Sequence, residues 1–145
     1  IWADSPKSWL WLLRSHPGIS VSKEYVNSYL KAKSCFNYDF ELVSALPLPV
    51  VLRHVTHHVT CCSSAVWDAL EMGVASALIH RHGYKVYLSE IDKGIFVDAL
   101  DKESLRTFLA DESTGNHSEL GGAAYSDTHW NENTTFDEAM THVIA

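Results

Sequence analysis

Residues 57–70 read HHVTCCSSAVWDAL, and this stretch decides the fold class of the chain. The short run over 57–61 predicts a strand, and Ser63 and Ser64 then open a helix predicted over 64–73. Gly73 stands where a glycine commonly ends a helix. A strand that passes through small polar residues directly into a helix is typical of a βα unit.

Strands and helices of this kind alternate through residue 110. The predicted strands cover 8–15, 38–45, 57–61, 75–80 and 95–97. The predicted helices cover 22–34, 49–54, 64–73 and 102–110, the first capped by Ser22 and the last by Asp101. Gly83 is expected to begin a turn, and 84–92 to be irregular or a short helix. The alternation predicts an α/β fold: a Rossmann-like three-layer domain with a mostly parallel sheet over 1–111, followed by a polar linker and C-terminal helix over 112–145.

Composition excludes several classes of protein. The formal net charge of -7, with Lys+Arg at 11 of 145 residues, disfavours a nucleic-acid binder, which needs a basic surface. The three cysteines include the adjacent pair Cys61 and Cys62, and this odd set predicts a reduced, cytoplasmic protein rather than a disulfide scaffold. No apolar run reaches the roughly 18 residues of a membrane span, and no signal peptide is visible. The chain begins without Met, so we expect it to be a piece of a longer protein.

The turn at Ser63 and Ser64 is the strongest candidate site. A helix N-terminus presents unpaired amide N–H groups and a partial positive charge, so a phosphate or diphosphate can bind there without basic side chains. The two hydroxyls add donors, and Thr60 lies at the end of the preceding strand. Asp68, about one turn into the helix, is placed to accept hydrogen bonds from ribose hydroxyls. The competing interpretation is structural, with either serine simply capping the helix.

The second candidate is the segment Arg14-Ser15-His16-Pro17, which follows a different predicted strand. In a parallel sheet, His16 would lie on the same rim as the two serines. There it could donate to a phosphate and stabilise leaving-group charge. The competing interpretation is a solvated loop histidine.

Other residue patterns are weaker evidence for a functional site. Histidines at 54, 57, 58, 80 and 82 have no carboxylate or thiolate at a recognised ligand spacing, so no metal site is expected. The adjacent cysteines are expected to be buried packing residues. Glycine-rich dinucleotide and P-loop motifs are absent from the sequence.

The Arg14-Ser15-His16-Pro17 segment resembles the His-Pro motif of bacterial sialyltransferases and related capsule-building transferases. Residues 60–64, followed by Asp68-Ala69-Leu70, resemble their Ser-Ser motif and helix. The resemblance covers roughly residues 8–110. These enzymes have the GT-B fold, in which two Rossmann-like domains flank a cleft and the C-terminal one holds the nucleotide sugar.

The resemblance implies that this chain is the nucleotide-sugar-binding half of a glycosyltransferase of polysaccharide biosynthesis. His16 would be the catalytic residue that contacts the donor phosphate, and Ser63 and Ser64 would bind the phosphates. Leu46 and Pro47 would lie near the base. No cofactor or metal is implied. The catalytic base would belong to an N-terminal domain outside this chain, so the chain alone should bind and not catalyse.

The resemblance brings one further expectation and one departure. The full-length protein is expected to associate peripherally with a membrane. Many GT-B domains have Glu where this chain has Asp68, whose carboxylate has a shorter reach to the ribose.

Two alternatives stay open. A non-catalytic α/β interaction module would have the same fold and bind no nucleotide. A fragment of a nucleotide-sugar epimerase would belong to a different enzyme class with a similar fold.

Overall fold

The computed structural model describes residues 5–16 and 21–111, in which short parallel strands alternate with helices. The strands are β1 (Trp11–Leu12), β2 (Tyr38–Asp39), β3 (His57–Thr60), β4 (Ala75–Leu78) and β5 (Val97–Asp98). The helices are α1 (Lys23–Ala32), α2 (Glu41–Ala45), α3 (Leu48–Leu52), α4 (Ala65–Glu71), α5 (Arg81–Val86), α6 (Leu88–Asp92) and α7 (Lys102–Ala110). The predicted α/β class with parallel strands is therefore confirmed.

The described residues form two compact units, divided between Pro47 and Leu48. In the first unit, β1 and β2 pair in parallel, with Trp11 opposite Tyr38. In the second unit, β3, β4 and β5 form a parallel sheet in that order, with Thr60 opposite Leu78. Two sheets thus take the place of the single sheet that the sequence predicted.

The core of the second unit lies between its sheet and the helices that follow each strand. Leu78 of β4 packs with Val66 of α4 and with the buried rings of Tyr87 and Phe96. The Tyr87 and Phe96 rings meet edge to face, with centroids 5.5 Å apart. Such edge-to-face contacts add to the stabilisation from burial. This core fixes α4 against the sheet, and so fixes the position at which α4 begins.

The two longest helices follow their predicted bounds closely, because their capping residues act as expected. The Ser22 hydroxyl accepts a hydrogen bond from the Tyr25 amide at 3.2 Å at the start of α1. The Asp101 carboxylate accepts from the amides of Glu103 and Ser104, at 2.8 and 2.9 Å, at the start of α7. Three apolar side chains of α7 are buried: Leu105, Phe108 and Leu109.

Gly73 ends α4, as its position in the sequence predicts. Its φ of +72° lies in the left-handed region that favours glycine. The Gly73 amide donates to the Leu70 carbonyl at 3.0 Å, and the Val74 amide donates to the Ala69 carbonyl at 2.8 Å. This pair of bonds is a Schellman motif, which satisfies the last carbonyls of the helix.

The predicted strand over 38–45 is wrong beyond Asp39. The Asp39 carboxylate accepts a hydrogen bond from the Val43 amide at 3.0 Å, which stabilises the first turn of α2 in place of an extended chain. The end of β2 at Asp39 also limits the length of β1. The Leu13 amide donates to the Asp39 carbonyl at 2.9 Å, and the partner strand ends there, so the predicted strand over 8–15 is reduced to two residues.

The expected turn at Gly83 is also wrong. Gly83 is buried within α5, and residues 84–92 continue into α6 after Tyr87. The predicted segment over 112–145 lies outside the described residues. Within the part of the chain that the structure describes, no helix has both the length and the apolar content that crossing a membrane requires.

Half-buried His58 and buried Ser76 form a polar pair between β3 and β4. They lie opposite each other in the ladder, and the His58 Nδ1 atom is 2.9 Å from the Ser76 hydroxyl oxygen. Ser76 is only 2% exposed. Burial lowers the pKa of His58 to about 4, so the imidazole is neutral at pH 7.

We predict that His58 makes the fold sensitive to acid. Its pKa falls from about 6.5 in an unfolded chain to about 4 in the folded protein. The folded state therefore favours the neutral ring, and its contribution to stability is complete above about pH 6.5 and is lost as the pH falls toward 4. In urea titrations at pH 7 and pH 5, His58→Gln should reduce the pH dependence of the unfolding free energy by about 2 kcal/mol.

His82→Gln serves as the matched control, because His82 is exposed on α5. It should keep the pH dependence of the natural chain. An equal pH dependence in the natural chain and in His58→Gln would contradict the role given to His58.

Candidate functional site

The carboxyl ends of β3, β4 and β5 lie at one edge of the second unit's sheet, because the three strands are parallel. Backbone bonds continue across this edge just beyond the strands. The Ile79 amide donates to the Thr60 carbonyl at 3.1 Å, and the Ala99 amide donates to the Leu78 carbonyl at 3.0 Å. Helices α4, α5 and α7 begin within a few residues of this edge. We call it the carboxyl edge.

Ser63 and Ser64 lie at the carboxyl edge between β3 and α4, and their two hydroxyls differ. The Ser63 hydroxyl accepts a hydrogen bond from the Ala65 amide at 3.2 Å. Ser63 therefore acts as a cap for α4, as the structural interpretation predicts. The Ser64 side chain makes no capping bond and is exposed. Ser64 is thus the hydroxyl that the helix does not require.

The helix behind these serines is short. α4 has seven residues, about two turns, so few peptide dipoles add up at its N-terminus. The exposed carboxylate of Asp68 lies in its first turn and offsets part of the positive charge there. The helix end alone is therefore a weaker anion site than the sequence suggested.

Gly83 brings α5 into contact with the turn. A Cβ atom added at Gly83 would lie 2.0 Å from the Cys61 carbonyl oxygen and 3.1 Å from its carbon. Only glycine allows this approach of the helix to the backbone. The first turn of α5 therefore packs against the residue that begins the Cys61-Cys62-Ser63-Ser64 turn.

Burial keeps the adjacent cysteines in the thiol form. Burial raises the pKa of Cys61 to about 12 and also raises the pKa of Cys62. Both thiols are therefore protonated near neutral pH, and the thiolate is the nucleophilic form. Cys62 packs against the core cluster of the unit. The prediction that these residues serve packing is confirmed for Cys62.

The carboxyl edge also carries polar residues that were not predicted from the sequence to belong to the site. His80 follows β4, and its Nδ1 atom accepts from the His82 amide at 3.2 Å, so it caps α5. Asp98 ends β5, and Asp101 caps α7. They could have been found from the sequence because they lie at or shortly after predicted strands. Open α/β sheets collect functional residues there.

The remaining predicted site residues belong to the first unit. His16 is exposed and follows β1, while Leu46 is half-buried and Pro47 is exposed after α2. The Arg14 guanidinium donates to the Val43 carbonyl at 2.7 Å and also to the Leu46 carbonyl. The expectation of a shared rim required β1 and β3 to be strands of one sheet, and they belong to two.

Each unit has a cavity bordered by residues that the structure describes. A cavity of about 560 Å³ lies along α1 and is bordered by Phe36 and Phe40. A cavity of about 480 Å³ lies along β5 and α7 and is bordered by Asp98 and Asp101. Neither is lined by Ser63 or Ser64. Within the described ranges, no group of three or more His, Cys, Asp or Glu side chains is arranged to hold a metal ion.

Comparison with known proteins identifies no relative of the chain. No protein-family model, curated protein or solved structure matches the chain.

We predict that Gly83→Ala destabilises the protein. In an unobstructed helix this change would stabilise by roughly 1 kcal/mol. Here the new methyl group would meet the Cys61 carbonyl oxygen at 2.0 Å, so α5 or the turn must move. Overpacking of this kind costs about 1–3 kcal/mol, and denaturant titration should show a loss of that size.

Ser89→Ala is the control for this substitution, because Ser89 is exposed on α6. It should leave the unfolding free energy nearly unchanged. A Gly83→Ala protein as stable as the natural chain would show that the contact does not constrain the turn.

Proposed function

We propose that the chain is the nucleotide-sugar-binding half of a GT-B glycosyltransferase, with a Rossmann-like second unit that binds phosphate at the Ser63-Ser64 turn. The observation that carries the proposal is the placement of this turn at the carboxyl edge. Ligands of open α/β sheets bind in the crevice outside the carboxyl ends of the strands. The Ser64 hydroxyl, which makes no capping bond to the helix, faces solvent there.

The order of the strands narrows the place of the ligand. β3, β4 and β5 lie in chain order, so the order does not reverse within this sheet. Ligands favour the position at which the order reverses. The strand order therefore gives no reason to place a nucleotide between β4 and β5, and the proposed position is beside the turn that follows β3.

In the proposed reaction the chain binds the donor and stabilises its phosphate as the bond between sugar and leaving group breaks. Hydrogen-bond donors that are already in place stabilise the developing negative charge on the phosphate. Ser64 is the donor proposed at the turn. Acceptor activation is assigned to a domain outside this chain.

A second candidate function, a non-catalytic interaction module, is favoured by one observation. The Ser63 hydroxyl already caps α4, so part of the Ser-Ser signal has a purely structural origin. Such a module would bind none of the nucleotides that a transferase donor contains.

The test is calorimetry of the full 145-residue chain with CMP, CDP, UMP and UDP. The natural chain should bind at least one of them. Ser64→Ala should weaken that binding by about 1–3 kcal/mol, the range for a lost hydrogen bond to a charged group. Because Ser64 makes no capping bond, the substitution should leave the unfolding free energy almost unchanged.

Ser89→Ala provides the matched loss of an exposed hydroxyl away from the turn and should bind as the natural chain does. If the natural chain binds none of the four nucleotides, the donor-domain proposal is wrong and the interaction module is the better description. Equal affinity in Ser64→Ala and the natural chain would move the phosphate away from the turn.

A further inference from the structure

The cavity of the first unit is bordered by α1 on one side and by the segment 35–41 on the other. Lys23, Asn27 and Lys31 line it from α1 and share one face of the helix, because each lies four positions after the last. Its volume of about 560 Å³ falls within the range of roughly 300–1,000 Å³ that is usual for small-molecule sites. We call it the α1 cavity.

Two side-chain interactions join the walls of the α1 cavity. The Tyr38 hydroxyl donates to the Asn27 Oδ1 atom at 2.7 Å, and both side chains are half-buried. Nearer the start of α1, the Lys23 ammonium forms an ion pair with the Glu41 carboxylate. The spacing between the walls is therefore set by contacts at two positions along the helix.

These contacts leave two groups of α1 to receive a ligand. Asn27 uses only its Oδ1 atom, and within the described residues its side-chain N–H groups have no acceptor. Lys31 is exposed and forms no ion pair in the part of the chain that the structure describes. The lining carboxylates are engaged elsewhere, since Asp39 accepts from the Val43 amide and Glu41 pairs with Lys23. Lys31 is thus the lining charge that is left uncompensated.

The segment 35–41 contributes aromatic surface to the same cavity. Phe36 is 71% exposed, and Phe40 is half-buried. A ring that covered Phe36 would remove apolar area from water, and two aromatic rings in contact gain further stabilisation. The α1 cavity therefore combines an aromatic wall with hydrogen-bond donors and one positive charge.

We infer that the α1 cavity binds a small aromatic carboxylate, with the ring against Phe36 and Phe40 and the carboxylate at the Asn27 amide and the Lys31 ammonium. Residues one turn apart on a helix are neighbours on its surface, so the two oxygens of one carboxylate can accept from both side chains. A single negative charge matches the single uncompensated lysine. This site lies in the first unit and goes beyond the proposed nucleotide site, which lies in the second.

The inference is tested by NMR titration of the isotope-labelled, full 145-residue chain with phenylacetate. Phenylacetate should cause saturable shifts in the amide signals of α1 and of residues 35–41. Phenethyl alcohol, which lacks the charge, and acetate, which lacks the ring, should each bind more weakly. Equal affinity for phenylacetate and either of these probes, or no saturable shift in these two segments, would overturn the inference.

Two substitutions test the polar contacts. Asn27→Asp keeps an oxygen acceptor for the Tyr38 hydroxyl but replaces the N–H donors with a negative charge, so it should weaken phenylacetate binding at least roughly tenfold. Lys31→Gln should weaken it roughly 2- to 5-fold, the range for an exposed ion pair. Natural affinity in Asn27→Asp would overturn the inference.

Lys33→Gln is the matched control, because it removes the same charge from an exposed position that does not border the cavity. It should bind phenylacetate as the natural chain does. Equal weakening in Lys31→Gln and Lys33→Gln would reduce the effect to net charge and overturn the inference. Ser64→Ala should leave phenylacetate binding unchanged, so failure at the α1 cavity is distinguishable from failure of the proposed function.

Discussion

The close packing of Gly83 on the Cys61 carbonyl is the constraint on which the second unit's architecture depends. A helix that follows a parallel strand must return across the sheet, and its distance from the neighbouring βα turn is set by the side chains between them. With no Cβ at Gly83, the backbone of α5 reaches the backbone of the turn. β4, α5 and the serine turn are therefore held as one assembly.

The two sides of the carboxyl edge also differ in the charge of their side chains. On the β3–β4 side, Ser63 and Ser64 form the turn, Arg81 begins α5, and Asp68 lies in the first turn of α4. On the β5 side the residues are acidic, with Asp98 and Asp101. The formal net charge of -7 disfavours anions over much of the surface, so the proposed phosphate site depends on the hydrogen-bond donors of the turn.

Prediction of structure from sequence was most accurate where a local signal acts alone. Ser22, Gly73 and Asp101 cap their helices through bonds to residues a few positions away, and such bonds depend little on the rest of the fold. It failed where distant contacts decide. Gly83 was assigned to a turn because glycine favours turns, whereas its helical position depends on Cys61, 22 positions earlier. No local pattern carries that information.

The same distinction applies to the candidate site. The strand, turn and helix around Ser63 could be predicted because one short segment contains them all. The relation between His16 and that turn could not, because it required β1 and β3 to belong to one sheet, and pairing between distant strands is not encoded in either strand alone. Asp39 shows how one side-chain bond can change strand pairing. Its bond to the Val43 amide ends β2 and limits the first sheet.

The two adjacent serines are best explained by a division of roles. α4 needs one capping side chain, and Ser63 supplies it through a hydroxyl oxygen that accepts from the Ala65 amide. A hydroxyl that accepts in this way keeps its hydrogen to donate, so a ligand at the turn would not have to compete with the cap. Helix capping does not account for Ser64, whose exposed hydroxyl makes no capping bond. A phosphate at this turn could therefore bind Ser64 while the cap that holds α4 on the core stays intact.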